Sequence, residues 1–100
     1  YKRQVLYAEI YECAYLYDGE AKAISYERIG NLFVHKGIED PIVFEDKYTI
    51  VLSHTYRKVS TFPPSTFTTL IDKEKLNFVY VGIEFENSTA IVEGKCNVYK

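Results

Sequence analysis

The sequence predicts an α+β domain: one long helix, about residues 20–36, held against a curved antiparallel sheet. Three observations predict it. Ala23, Tyr26, Ile29/Gly30 and Phe33 recur at helical spacing. Gly37 stands where a helix C′ glycine belongs, and Pro41 follows a few positions later. From residue 48 onward the chain alternates apolar and polar side chains with the two-residue period of strands. One hundred residues, 1–100, read as a single domain with no room for a second core.

Taken in order, residues 3–10 carry apolar side chains on both faces and suit a strand or a helix equally. Tyr17-Asp18-Gly19 reads as a short loop, with Asp18 as N-cap and Gly19 opening the helix. Gly30 costs roughly 1 kcal/mol inside a helix, a cost that makes sense where a sheet wraps the helix tightly. Residues 48–58 form a strand, with Ile50, Leu52 and Tyr56 against Thr49, Ser53, Thr55 and Arg57. Phe62-Pro63-Pro64-Ser65 interrupts the ladder, because proline removes a donor and fixes φ. The ladder resumes over 66–71, turns at 72–75, and continues over 76–86 with Val79, Val81, Ile83 and Phe85 on one face. After a turn at Asn87-Ser88, the residues Ala90, Val92, Gly94, Cys96 and Val98 alternate with Ile91, Glu93, Lys95, Asn97 and Tyr99. The second half is therefore a four-stranded meander.

Composition sets limits on function. The chain is 47% hydrophobic and 16% aromatic, with ten tyrosines and no tryptophan, which supplies a packed core and excludes disorder. Surplus tyrosine favours sheet and surfaces that self-associate, so a homodimer or homotetramer is expected. A net charge of −2 with scattered signs and no basic block argues against nucleic acid. Its apolar runs fall far short of the roughly 20 residues that span a bilayer, and no signal-peptide pattern is present, so no membrane partner and a cytoplasmic location are expected. There is no methionine, so Tyr1 reads as a trimmed start. Cys13 and Cys96 read as small half-buried hydrophobes that nothing in the sequence requires to pair. Two cysteines and two separated histidines give no zinc spacing. His35 and His54 read as structural. Asn87-Ser88-Thr89 is a formal glycosylation sequon of a kind common by chance.

Val5-Leu6-Tyr7-Ala8-Glu9, then Tyr17-Asp18-Gly19, then Ser25-Tyr26-Glu27-Arg28 resembles the acyl-CoA thioesterases of the hot-dog superfamily, of the 4-hydroxybenzoyl-CoA thioesterase type. Gly37-Ile38, Thr55-Tyr56-Arg57, Phe62-Pro63-Pro64 and the stretch from Glu84 to Gly94 extend the resemblance along the chain. It implies a hot-dog fold and hydrolysis of an acyl-CoA thioester between subunits, with no cofactor beyond the coenzyme A of the substrate. The family's catalytic aspartate position holds Tyr11, with Glu12 beside it, and its histidine position holds Asp18; an acid eight residues after the glycine survives as Glu27.

Those positions suggest a chemistry. At a helix start the Gly19 N–H is an unpaired donor at the positive end of the dipole and suits an oxyanion. Glu27, with Glu12 as substitute, would be base or nucleophile, although a solvated surface glutamate explains Glu27 as readily. On a helix Glu27 lies about 12 Å beyond Gly19, so the two would meet at one carbonyl only across a dimer. Tyr17, Asp18, Arg57 and Lys58 are the candidate substrate-binding residues, the last two toward the phosphates of coenzyme A. Two alternatives stand beside this reading: a non-catalytic hot-dog domain that binds an acyl group or dimerises, and an unrelated β-rich assembly protein. The second gains if residues 20–36 are strand.

Overall fold

The computed structural model describes residues 9–58, 61, 63–85 and 90–99. Those residues contain eight strands and no helix: β1 Ile10–Tyr17, β2 Glu20–Ile29, β3 Leu32–His35, β4 Ile38–Glu45, β5 Thr49–Tyr56, β6 Ser65–Asp72, β7 Asn77–Glu84 and β8 Ala90–Tyr99. Each pairs antiparallel with the next, and β8 returns to β1, so the sheet closes into an up-and-down barrel. This corrects the predicted α+β hot-dog fold, which requires a long central helix. Residues 20–36 are strands β2 and β3 joined by a turn, and a further strand, β4, lies where no element was expected. The four strands of the second half stand close to where alternation put them. Residues 3–8, Phe62 and the sequon at Asn87 lie outside the described residues.

Turn chemistry explains why strands win over helix between residues 10 and 45. Asp18 and Gly19 have φ of 52° and 77°, and Lys36 and Gly37 have φ of 50° and 79°. Two successive positive-φ residues between paired strands are the two-residue turn whose twist matches a hairpin, and Asp-Gly is among its preferred sequences. Tyr17 accordingly pairs with Glu20, and His35 with Ile38. Asp18 is thus not an N-cap, Gly19 opens no helix, and Gly37 ends none. Gly30, at φ 62°, turns the chain between Ile29 and Leu32.

The barrel has a largely apolar inside, and its outside mixes polar side chains with exposed apolar ones such as Leu16, Ile29, Leu70, Ile83 and Ile91. Inward positions hold the buried core: Tyr11, Cys13, Tyr26, Phe33, Ile50, Leu52, Ile71, Phe78, Val92 and Cys96. Outward positions on β1, β2 and β8 include Glu12, Glu27, Glu93, Lys95 and Asn97. Two inward glycines make room for rings. A Cβ at Gly82 would fall 2.8 Å from the Phe67 ring, and one at Gly94 would collide with the Ala14 carbonyl oxygen and fall 2.7 Å from Phe78. Gly94→Ala is therefore expected to cost about 2 kcal/mol by overpacking, checked by urea unfolding; an unchanged midpoint would refute the close packing.

Cys13 and Cys96 face each other across β1 and β8 and form a disulfide on the inside of the closing seam. A second feature concerns the wall. β2 is ten residues long, yet β3 pairs only with Glu27, Arg28 and Ile29. The β3–β4 hairpin thus stops short, and among the described residues the β3-facing edge of β2 above Glu27 has no strand partner. The end of the barrel that carries the β1–β2 turn, here the upper end, is notched on that side.

Candidate functional site

The two ends of the interior differ in chemistry. At the lower end, Arg28 points inward from β2 and spends its guanidinium on protein. Its Nη1 donates to Glu9 Oε1 at 3.0 Å and to Glu45 Oε2 at 2.9 Å, its Nη2 donates to Glu45 Oε1 at 2.7 Å, and its Nε to the Gly30 carbonyl at 3.1 Å. Lys73 adds a bond to Glu45 Oε2 at 2.8 Å. The Arg28 guanidinium, followed by Lys73, holds the Glu45 carboxyl at about 2, far below its ordinary value. Burial, helped by the charge of Glu9, pushes the nearby Tyr11 phenol to about 12. Every strong donor here meets an acceptor. This end is a plug.

The upper half is open. A cavity of about 240 Å³ is lined by Tyr15, Ile24, Tyr26, Phe78, Tyr80 and Val92, with Tyr17 and Ala90 at its rim. A second, of about 160 Å³, is lined by His35, Ile38, Asp40, His54, Tyr56, Phe67 and Tyr80. Tyr80 lines both. These side chains come from all eight strands, and the alternation that points each one inward is fixed by the hairpin registers. A groove of about 370 Å³ at the outer upper edge of β6 and β7 is larger, but Glu84 is its one ionisable lining residue. The interior holds the chemistry.

Its polar centre is Asp40, buried on β4. The Asp40 Oδ2 lies 2.7 Å from His35 Nε2, and its Oδ1 lies 3.6 Å from His54 Nδ1. His54 Nδ1 also sits 3.0 Å from the Glu39 carbonyl oxygen. The register makes this group: the turn at Lys36-Gly37 brings β4 back along β3 and sets Asp40 beside Phe33, so that Asp40 and His35 share the inner face. Aromatic rings enclose it. Tyr26 meets His35 edge-on at 5.1 Å, His54 meets Tyr56 at 4.3 Å, and Phe67 stacks on Tyr80 at 5.9 Å. The Tyr26 hydroxyl is tied to Thr69 Oγ1 at 3.2 Å. Burial, with a smaller contribution from the charge of Asp40, raises the phenols of both Tyr26 and Tyr80 above their ordinary value. Among the described residues no three of His, Cys, Asp and Glu are grouped to hold a metal ion.

The residues singled out by sequence are scattered. Tyr17, Asp18 and Gly19 lie together at the β1–β2 turn, and of the whole set Tyr17 alone lines the chamber. Glu12 and Glu27 are exposed on the outer face of β1 and β2, where Glu12 pairs with Ser25 and Glu27 with Ile10. Extended chain puts Glu27 about 26 Å from Gly19 at ~3.3 Å per residue, and no helix carries either. Arg57 and Lys58 are exposed beyond the upper end of β5. The acyl-CoA thioesterase reading thereby loses its structural basis. Asp40, by contrast, escaped sequence reasoning, as did the pairing of His35 with it. Lys36-Gly37 between Phe33/His35 and Ile38/Asp40 was the signal, once read as a hairpin turn. No family model matches the chain, and comparisons with curated proteins and with solved structures find no match.

Proposed function

We propose that this protein is a small-molecule carrier that holds its ligand in the upper half of the barrel. The observation that carries the proposal is the contrast between the two ends: the lower is closed by mutually satisfied charges, while the upper leaves apolar-lined space around a buried polar centre. An eight-stranded barrel is of a size either to be filled by its own side chains or to hold one small ligand. Apolar walls with a few fixed polar groups are the usual make-up of a ligand site. Residues of one chain line both interior cavities. The Cys13–Cys96 bond supports an oxidising compartment in place of the cytoplasm.

The test is a thermal-shift and tyrosine-fluorescence screen of small molecules, with hits measured on wild type, Tyr80→Ala and Glu27→Gln. Tyr80 borders both cavities, so its truncation is expected to weaken binding roughly tenfold or more, the equivalent of about 1.4 kcal/mol. The outer-wall variant Glu27→Gln is expected to bind as wild type does. If a folded Tyr80→Ala protein bound every hit unchanged, the interior site would be ruled out.

A further inference from the structure

We infer that the ligand is a small organic cation with N–H donors, such as an alkylamine or arylalkylamine, its charged end set against Asp40 and His54. The inference rests on the carrier reading and adds the chemical class of the occupant.

Charge gives the first reason. Asp40 is a buried carboxylate on the wall, with its side chain 8% exposed, and neither interior cavity is lined by a lysine or an arginine. Of the inward-reaching cations, Arg28 and Lys73 at the lower end are bound to Glu9 and Glu45, and Lys22 at the upper rim is paired with Glu20. An anionic ligand would meet no lining cation to offset Asp40.

Proton bookkeeping gives the second. His54 Nδ1 faces two acceptors, the Glu39 carbonyl oxygen at 3.0 Å and Asp40 Oδ1 at 3.6 Å, so Nδ1 carries the proton. In the neutral ring Nε2 is then a lone-pair acceptor, and it has no hydrogen-bond partner among the described residues. His35 Nε2 likewise donates to Asp40 at 2.7 Å, which leaves its Nδ1 as the acceptor. Carboxylate and imidazoles together therefore present acceptors, which call for a ligand rich in donors.

The surroundings give the third. Tyr56, Phe67 and Tyr80 line the same cavity as Asp40, and the negative face of an aromatic ring attracts a cation within about 6 Å. A cationic head fits this smaller space, and the adjoining apolar cavity bordered by Tyr80 takes an aryl or alkyl body.

The experiment is calorimetric titration at about pH 8 with three probes that share a phenylethyl body: 2-phenylethylamine, 2-phenylethanol and 3-phenylpropionate. Wild type is expected to bind the amine roughly tenfold tighter than the alcohol and the carboxylate weakest. Asp40→Asn is expected to erase the preference for the amine while leaving the alcohol unchanged. The wild-type ranking needs no variant, so the inference stays testable if Asp40→Asn fails to fold. If the alcohol or the carboxylate binds as well as the amine, the cation inference falls and the carrier reading stands. If no probe binds, and the wider screen finds no saturable ligand either, both fall.

Discussion

Replacing Cys13 and Cys96 together by alanine is expected to lower the stability of the barrel by about 4 kcal/mol, the largest effect of any change considered. The bond joins residues 83 positions apart in sequence. In the chain-entropy account, a cross-link that closes a loop of this length removes about 4–5 kcal/mol worth of freedom from the unfolded chain. For a domain of this size that corresponds to a fall in Tm of about 20 °C. The location adds to the effect, because both sulfur atoms lie in the core at the seam where the first and last strands meet. Differential scanning calorimetry of the double variant against wild type decides it. A drop of only a few degrees would mean that the β1–β8 ladder holds the seam without the cross-link.

The second large effect lies at the lower end. Arg28→Met leaves the carboxylates of Glu9 and Glu45 facing each other, with Lys73 as the remaining partner of Glu45. Breaking a partly buried charge network by removing one member is expected to cost about 3 kcal/mol at neutral pH. The pH dependence has a definite sign. Glu45 binds its proton at about 2 in the folded protein against an ordinary 4.5, so the unfolded chain takes up the proton first as pH falls. Its contribution is complete above about pH 4.5 and is lost on descent toward pH 2, an effect of about 2 kcal/mol once partial exposure is allowed for. Urea unfolding from pH 7 to pH 2 should therefore show a steep acid limb in wild type and a flatter one in Glu45→Gln. Parallel limbs would show that other carboxylates govern acid unfolding.

What could be read in the sequence depended on which signal stood alone. From Thr49 to Tyr99 the alternation has no rival, because threonine, valine, isoleucine and tyrosine in period two suit only a strand, and the strands are there. Residues 20–36 carried two periods at once. Ala21, Ala23, Lys22 and Glu27 are tolerant of helix, and Tyr26 and Phe33 fit both a helical face and the inside of a barrel. Local propensity could not decide, and tertiary pairing did. The deciding information sat in the turns. Asp18-Gly19, Gly30-Asn31 and Lys36-Gly37 divide the first half into lengths too short for the helix and right for strands. The same misreading hid the chamber. Once residues 32–41 are taken as a hairpin, His35 and Asp40 fall on one face, and His54 arrives from β5. Arg28 and its two glutamates were equally invisible, since the β1–β2 hairpin brings Glu9 to it and the β2–β3–β4 hairpins bring Glu45, and all three strands lay in the misread half.

The notch above the short β3–β4 hairpin has a consequence for how this molecule behaves in company. Closing a sheet into a barrel ordinarily abolishes the free edges along which one chain can add to another. Here, among the described residues, part of one edge survives on β2, between Glu20 and Tyr26, and it falls in a chain rich in β-formers. The side chains that flank it on the inner face begin with Glu20 and Lys22, which form an ion pair with each other at 3.4 Å, and continue with Ile24 and Tyr26. Charges set inward on an open edge make it a poor template, because a newcomer strand would have to bury them. The pair adds little to stability, yet it stands where strand-to-strand aggregation would otherwise begin. The Glu20–Lys22 pair thus guards this gap in the wall against strand addition.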